Sequence, residues 1–344
     1  MKRRTFIKTG AMAGAGLMTS RIAFGNMEEP VKKGLRVGII GLDTSHAIAF
    51  TQSLNKADAS PDFGGYKVVA TYPQGSRDIK SSTERVPGYI EEVRKSGVEI
   101  VDTIPELLKR VDVVLLESND GRPHLEQVIP VFKAGKTVFI DKPVAGSLTD
   151  AFAIYQAAID YNVPVFSSSS LRYQPNMDDI VKNRSLGRVF CVESYTCCDI
   201  EPSHPDLFWY GVHAVESLFA VLGTGCQTVT RVHTPDVDVA TGVWEGDRVG
   251  IFRGMRLNGK GYGDYGGTAY GEKGAKALGG YQGYDPLLKE IIRFFQTGIP
   301  PVSPEETLEM FTFMEAADES KRRGGVPVSL AETKQKALSQ LKKF

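Results

Sequence analysis

Short hydrophobic runs rich in β-branched residues alternate with amphipathic stretches between residue 35 and about residue 170. Runs such as "LRVGIIG", "YKVVAT", "VDVVLLES" and "TVFID" have the length and composition of buried strands. Residues 46–56 and 148–161 repeat their apolar positions at helical spacing. Strands that alternate with amphipathic helices are typical of a parallel sheet with right-handed crossovers. This half of the chain is therefore predicted to be a doubly wound α/β domain.

The pattern changes in the second half of the chain. Residues 188–272 contain longer strands of alternating polarity, such as "GRVFCVESYTC" and "RVGIFRGM", separated by glycine-rich segments. Alternation favours an antiparallel sheet with one covered face and one open face. Helices are predicted over 206–222, 285–297 and 304–320. The second half is therefore predicted to be an α+β domain with an open-faced, mostly antiparallel sheet.

The 344 residues, of which 42% are hydrophobic, suffice for two domains. The predicted division is a terminal segment over 1–25, a linker over 26–34, a doubly wound domain over 35–147, and an α+β domain over 148–344.

The N-terminal segment has the features of an export signal. It holds five basic residues and no acidic one, and Arg3 and Arg4 precede Phe6, Lys8 and a short run rich in Gly and Ala. This spacing resembles a twin-arginine signal, which predicts the twin-arginine machinery as a partner and a periplasmic location. A basic, disordered N-terminus is the alternative. Without this segment 36 basic and 41 acidic residues remain, which argues against a nucleic-acid partner.

No disulfide framework and no metal site are predicted. The four cysteines contain no C-x-x-C spacing, and buried free thiols are the simplest interpretation. These residues are Cys191, Cys197, Cys198 and Cys226. His204, Asp206 and His213 are ligand types, but their spacing matches no recognised metal-binding pattern.

The loop after the first strand retains part of a dinucleotide-binding pattern. In G-x-G-x-x-G the glycines allow a tight turn, close approach of the pyrophosphate, and close packing of helix on strand. Here these positions hold Gly41, Asp43 and His46. The helix that follows still offers free N–H groups to an anion. Asp43 is expected either to repel a phosphate or, like Thr44 and Ser45, to cap the helix.

The second strand is followed by Ser76 and Arg77 rather than by the acidic residue that normally binds the ribose of NAD. A hydroxyl and a guanidinium suit a 2′-phosphate, so the sequence slightly favours NADP over NAD. The alternative is a solvated loop with no contact to a cofactor.

The segment "FIDKPVAGS" carries the most specific signal in the chain. Lys142 follows an apolar strand and so is predicted to lie at the carboxyl edge of the parallel sheet, where such folds bind their ligands. From that position the ammonium reaches a substrate hydroxyl and the ribose of a nicotinamide cofactor.

These features together resemble the glucose-fructose oxidoreductase and inositol dehydrogenase family (Gfo/Idh/MocA) over residues 35–340. The resemblance implies a Rossmann-like domain, a tightly held NAD or NADP, a sugar or cyclitol substrate, and oligomers paired through the open sheet. It also places Asn119 and His124 beside the nicotinamide, although His124 also fits as an ordinary helix residue.

The family presents an Asp and, four residues later, a His to the nicotinamide. His213 matches this histidine, but Trp209 stands where the Asp is expected. His213 is therefore a candidate general base acting with Lys142, and a buried structural histidine is the alternative. Trp209 and Tyr210 are candidates for an aromatic wall against a sugar ring.

The segment "SSSSLRYQP" is expected, by the same resemblance, to line the cleft. Arg172 and Tyr173 are candidate substrate ligands, although Arg172 equally suits an ion pair across the domain interface.

Two functions follow from the sequence. The first is an NAD(P)-dependent oxidoreductase acting on a carbohydrate or cyclitol, and the alternative is a cofactor-free sugar-binding or scaffold protein.

Overall fold

A computed structural model describes residues 35–341 of the chain. The twin-arginine segment and the predicted linker lie outside the described residues. Among residues 35–341, no helix has the length and apolar character needed to cross a membrane.

The first half of the described chain forms a parallel sheet. Six strands lie in the order β3-β2-β1-β4-β5-β6, and every neighbouring pair is parallel. The strands are β1 (Arg36–Ile40), β2 (Lys67–Tyr72), β3 (Glu99–Ile100), β4 (Val113–Leu116), β5 (Val138–Ile140) and β6 (Val165–Ser167). Because β1 lies at the centre, the loops after β1, β4 and β5 meet at one edge of the sheet.

Helices connect these strands. They are α1 (Ser45–Asn55), α2 (Lys80–Thr83), α3 (Val86–Lys95), α4 (Ile104–Leu108), α5 (His124–Lys133) and α6 (Leu148–Asp160). Hydroxyl side chains mark several helix starts, since Thr44, Thr103 and Ser147 each accept a hydrogen bond from a backbone N–H of the first turn.

The second sheet is mixed. Its strands lie in the order β13-β12-β7-β10-β9-β8-β14, with β11 paired to β10. The strands are β7 (Val189–Cys197), β8 (Cys226–His233), β9 (Val237–Trp244), β10 (Arg248–Leu257), β11 (Lys260–Gly261), β12 (Gly266–Gly271), β13 (Gly274–Ala277) and β14 (Val328–Ser329). The prediction of a mostly antiparallel sheet is confirmed, and the exception is the parallel pair β7 and β10.

The remaining helices are α7 (Met177–Val181), α8 (Val212–Leu222), α9 (Asp285–Thr297), α10 (Pro304–Arg322) and α11 (Leu330–Ser339). The predicted helix over 206–222 begins only at Val212. Turns occupy the residues before it, and the close approach of Gly211 to the backbone of Leu207 leaves no room for a side chain there.

The sequence-predicted domain boundary at residue 147 is too early. Strand β6 completes the parallel sheet, so this layer extends to Ser167. Helix α9 also returns to it, since Leu287, Ile291 and Phe294 are buried in the same apolar cluster as Phe166. The rings of Phe166 and Phe294 lie 4.8 Å apart. The parallel-sheet layer is therefore built from two separate stretches of the chain.

Candidate functional site

A pocket of about 140 Å³ opens at the carboxyl edge of the parallel sheet, next to α8. Its lining residues come from the first loop, the loops after β4 and β5, helix α8 and two glycine-rich segments of the second half. They are Thr44, Ser45, His46, Arg85, Asn119, Lys142, Ser170, Leu171, Tyr210, His213, Tyr265, Tyr281 and Tyr284. The structure thus brings the two predicted catalytic residues, Lys142 and His213, into one pocket.

The ammonium of Lys142 is buried without a protein counterion. The side chain follows β5 and is 9% exposed, and among the described residues no carboxylate lies within 4.0 Å of its Nζ. The ring of Tyr210 lies beneath it, with 5.9 Å from Nζ to the centroid. Because a buried cation without partners is unfavourable, this ammonium is available to bind an anionic or hydroxylated ligand.

His213 lies in the first turn of α8 and is oriented by a serine. Its Nδ1 is 2.7 Å from Oγ of Ser169, a residue that follows β6. Burial lowers the pKa of His213 well below its usual value, and the positive charges of Lys142 and His46 lower it further. The imidazole is therefore neutral at pH 7 and able to accept a proton. His213 is therefore still a candidate general base in the structure.

Asp43 neither caps α1 nor faces the pocket. Thr44 is the N-cap, with its Oγ1 3.3 Å from the N–H of Ala47. The carboxylate of Asp43 is fully buried and accepts hydrogen bonds from the N–H groups of Ser76 at 2.8 Å and Asn119 at 3.0 Å. Asp43 therefore ties together the loops after β1, β2 and β4, and both earlier interpretations of this residue are corrected.

Gly75 shows how closely these loops pack around the carboxylate. A Cβ at position 75 would lie 2.2 Å from the carboxyl atoms of Asp43. Burial raises the pKa of Asp43 above its ordinary value, and the two backbone N–H groups lower it. This carboxylate is directed between the loops and so does not oppose an anion in the pocket.

The start of α1 retains the donors that a phosphate group needs. The first N–H groups of a helix have no intrahelical partner, and Ser45 and His46 lie at this start and line the pocket. The guanidinium of Arg85 lines the same pocket. The residues present therefore fit a phosphate at this helix terminus.

A tyrosine from the second half covers this helix start. The hydroxyl of Tyr284 lies 3.0 Å from that of Ser45, and its ring lies 4.3 Å from the ring of His46. His46 fills the place of the third glycine, where dinucleotide-binding folds leave room between helix and strand. The pocket in this arrangement admits one ring-sized group, because larger ligands occupy about 300–1,000 Å³.

Ser76 and Arg77 do not line the pocket. The Ser76 hydroxyl lies 2.9 Å from a carboxylate oxygen of Asp120 and 3.4 Å from one of Asp78. Arg77 is exposed and lies 3.7 Å from Glu126. The predicted basic site for a 2′-phosphate is thus an acidic loop in the structure.

Asn119 and His124 have different roles. Asn119 lines the pocket, as predicted. His124 is fully buried, with Nε2 2.8 Å from the carbonyl oxygen of Ser118 and Nδ1 3.2 Å from that of Val144. Burial lowers its pKa. His124 therefore links the loops after β4 and β5 and does not reach a ligand in the pocket.

Arg172, Tyr173 and Trp209 also lie outside this pocket, contrary to the expectation for substrate ligands. Arg172 forms ion pairs with Glu216 and Glu306, so the alternative of an ion pair is the one that the structure supports. Arg172 and Tyr173 line a different cavity of about 600 Å³, and Trp209 packs against His204. Of the predicted aromatic wall, only Tyr210 faces the pocket.

The residues considered for a metal site at the sequence level have separate partners. His204 accepts a hydrogen bond from Gly121, Asp206 pairs with Arg231 and Lys321, and His213 contacts Ser169. The four cysteines are free; Cys198 and Cys226 are buried, and Cys191 and Cys197 are partly exposed.

Several pocket residues escaped the sequence analysis. Tyr265 follows the segment "NGKGYGD" and Tyr281 and Tyr284 follow Gly279 and Gly280, so all three are carried by glycine-rich loops. The aromatic residues in these glycine-rich loops are the sequence feature that could have predicted this part of the pocket. The sequence around Ser169 and around Arg85 shows no comparable feature.

The pocket holds a lysine at the carboxyl edge of the parallel sheet and a histidine from a helix of the second half. Residues 35–169 match the profile of the Gfo/Idh/MocA family, described as an oxidoreductase family with an NAD-binding Rossmann fold. Over these residues the chain is similar to that family. The predicted resemblance and the two-domain fold class are therefore confirmed, as is the prediction of an oxidoreductase at the level of the family.

Solved structures share the fold along most of the chain. A probable dehydrogenase from Thermotoga maritima is 21% identical with a TM-score of 0.70, and the match covers 87% of this chain and 100% of the other. A scyllo-inositol dehydrogenase from Lactobacillus casei with bound NAD(H) and scyllo-inositol is 15% identical with a TM-score of 0.70, over 87% and 100% of the two chains. A comparison with curated protein sequences gave no match.

Proposed function

We propose that this protein is a nicotinamide-dependent oxidoreductase that interconverts a hydroxyl and a ketone on a sugar or cyclitol ring. The observation that carries the proposal is the pairing of an unpartnered ammonium with a neutral imidazole in one pocket, Lys142 with His213. The family profile and the inositol-binding neighbour support the class of reaction and of substrate.

The two side chains have complementary roles in such a reaction. The Nζ of Lys142 donates a hydrogen bond to the reacting oxygen and stabilises its negative charge as the proton leaves. In the tautomer that carries its hydrogen on Nδ1, His213 donates to Oγ of Ser169 and keeps a lone pair on Nε2 that accepts this proton. In the opposite direction His213 returns the proton to the oxygen of the ketone.

A dinucleotide held at the start of α1 would supply the hydride acceptor for this chemistry. Ser45, His46 and Arg85 would hold its phosphates, and Asn119 lines the same pocket. Because the pocket admits one ring-sized group, the contact between Tyr284 and Ser45 must open to admit a whole dinucleotide.

We propose NAD rather than NADP as the cofactor. In this fold the ribose next to adenine lies beyond the end of β2. There Ser76 is bonded to Asp43 and Asp120 and lies beside Asp78, with Arg122 already paired to two of these carboxylates. A 2′-phosphate would add negative charge to this acidic loop, so NADP is disfavoured.

The decisive experiment is mass spectrometry of small molecules released on denaturing the purified full chain. Release of NAD, followed by reduction of added NAD with a member of a sugar and cyclitol panel, is the expected result. His213→Gln should abolish turnover, and His233→Gln, at an exposed histidine paired with Asp238, should retain it. Failure to release or bind either dinucleotide would refute the proposal.

The cofactor-free sugar-binding protein is kept as a second candidate because of one observation. Tyr284 and His46 occupy the space above the first turn of α1. If neither dinucleotide binds, calorimetric titration with the same panel tests whether the pocket binds a sugar alone.

We further propose that the protein is exported through the twin-arginine route and pairs through the open face of its second sheet. Half-exposed apolar side chains alternate along β9, where Val237, Val239 and Val243 share one face. Light scattering of the wild type and of Val243→Asp tests the pairing, and fractionation of cells expressing Arg3→Lys/Arg4→Lys tests the export.

A further inference from the structure

Three ligand-type side chains converge beneath the pocket. His46 comes from the first turn of α1, Glu117 follows β4, and Asp141 follows β5. One nitrogen or oxygen atom of each lies within 4.8 Å of the other two, and all three side chains are buried. The group lies where the carboxyl ends of adjacent parallel strands meet, at the edge of the sheet where such folds bind ligands.

The buried carboxyl group of Glu117 has no hydrogen-bond partner among the described residues. Its side chain is 0% exposed, and within residues 35–341 neither carboxylate oxygen has a hydrogen-bond partner. Lys142, a neighbouring cation, forms no ion pair with it within 4.0 Å. Proteins rarely bury a carboxylate in this way unless a cation or a proton compensates it.

Asp141 and His46 are in close contact. Asp141 Oδ2 lies 3.0 Å from Nδ1 of His46, and neither atom has a hydrogen-bond partner outside this pair in the described chain. Two carboxylates and one imidazole nitrogen thus share a small buried volume.

We propose that His46, Glu117 and Asp141 bind a divalent metal ion. One imidazole nitrogen and two carboxylates suit Zn²⁺ or Mn²⁺, and a charge of +2 balances the two carboxylates. Ligand atoms about 2.1 Å from one ion lie about 3.4 Å apart in a tetrahedral site, so a pair at the 4.8 Å limit would approach by about 1.4 Å on binding the ion.

The surroundings of His46 fit a metal ligand. Its ring packs against Tyr284 at 4.3 Å and Phe50 at 5.9 Å, which fixes its orientation as neighbouring groups do in metal sites. His46 also lines the pocket, which gives an ion a route to the buried carboxylates. Metal binding would explain why a histidine stands in place of the third glycine, which the packing of helix on strand does not explain.

A shared proton is the competing explanation for the two carboxyl groups. A proton shared between Glu117 and Asp141 would join them by a hydrogen bond, and the described residues show none between these side chains. It would also leave the Nδ1 of His46 without a role. The ion accounts for all three side chains at once.

The test is metal analysis of the purified full chain by inductively coupled plasma mass spectrometry. We expect about one Zn²⁺ or Mn²⁺ per chain, removal by a chelator, and a rise in the thermal midpoint when the same ion is returned. Glu117→Gln and Asp141→Asn should lose the ion. Glu126→Gln, at an exposed position of α5, should retain it.

The proton hypothesis predicts the opposite pattern. Wild-type protein free of metal after growth in supplemented medium, with a thermal midpoint insensitive to Zn²⁺, Mn²⁺ and Mg²⁺, would overturn the proposal even if the variants failed to fold. A Glu117→Gln chain as stable as the wild type would do the same. Metal content and thermal midpoint are independent of dinucleotide binding, so this proposal and the proposed function fail separately.

Discussion

The hydroxyl of Tyr284 lies 3.0 Å from the hydroxyl of Ser45, so a residue just before α9 contacts the first residue of α1. The two positions are 239 residues apart. The phosphate-binding end of the helix is therefore covered by a side chain from the second half, and the accessibility of this end depends on that contact.

Removing the contact should favour cofactor binding. Tyr284→Phe deletes one hydrogen bond between partly exposed groups, which is worth about 0.5–1.4 kcal/mol and corresponds to about 2–10-fold tighter binding of NAD. Calorimetric titration measures the change. Tyr161→Phe, at an exposed tyrosine, serves as the control and should leave the affinity unaltered. Weaker binding in Tyr284→Phe would mean that Tyr284 contacts the cofactor rather than excludes it.

Ser169 should act on catalysis through His213. Ser169→Ala removes the hydrogen bond to Nδ1, and a loss of about 1 kcal/mol in orientation lowers kcat about 5-fold with little effect on KM. Ser168→Ala is the matched control, because the neighbouring hydroxyl bonds to Glu216 and does not contact His213. Equal effects of the two substitutions would assign Ser169 a purely structural role.

Lys142 should be essential for turnover and dispensable for folding. Lys142→Met keeps the aliphatic stem and removes a buried ammonium that lacks a protein counterion, so the free energy of unfolding should stay equal or rise by about 1 kcal/mol. Turnover should fall about 100-fold or more. Urea unfolding and steady-state kinetics check the two parts, with Lys182→Met at an exposed lysine as the control.

The pH dependence of kcat/KM should reflect the lowered pKa of His213. Because burial and nearby positive charge favour the neutral imidazole, the acid limb of kcat/KM is expected below pH 6.5.

The same lowered pKa affects stability, because the unfolded histidine takes up its proton as the pH falls below 6.5 and the folded one does not. This group therefore lowers the free energy of unfolding on the acid side.

Lys142 provides the internal control for that assignment. Lys142→Met removes one of the charges that lower the pKa of His213, so the acid limb of the residual activity should move upward toward pH 6.5. An acid limb that stays in place would show that another group controls it.

Substitution of Asp43 by glycine should not restore dinucleotide binding. The carboxylate accepts two backbone hydrogen bonds, so Asp43→Gly leaves two buried N–H groups without partners and costs about 3 kcal/mol of unfolding free energy. Asp58→Gly, in an exposed turn, should cost less than about 0.5 kcal/mol. Tighter NAD binding by Asp43→Gly would show that its carboxylate opposes the cofactor after all.

The features that the sequence predicts well are local ones. The parallel strands β1, β2, β4 and β5 are visible as apolar β-branched runs, because strands buried on both faces carry few polar residues. Helix α9 matches its predicted range of 285–297, where apolar positions recur at helical spacing. The position of Lys142 follows from one strand end alone.

The partners of individual side chains depend on distant segments, which the sequence does not reveal. The carboxylate of Asp43 accepts hydrogen bonds from residues 33 and 76 positions away. These bonds exclude both predicted roles of Asp43, capping of α1 and repulsion of a phosphate. Arg172 has two ion-pair partners, 44 and 134 positions away, so its charge is neutralised before any substrate arrives. For Asp43 and Arg172 the sequence shows the type of side chain, but it does not show in which direction the side chain points.

Helix α9 has a consequence for the order of events during synthesis. Its buried face supplies Leu287, Ile291 and Phe294 to the apolar cluster under the parallel sheet. A nascent chain that has emerged only to the end of β6 therefore exposes Phe139 and Phe166 to solvent, and this layer cannot close on the ribosome until about 130 further residues have followed. Folding of the layer that holds the pocket thus waits for the synthesis of α9 and is not complete when β6 has emerged.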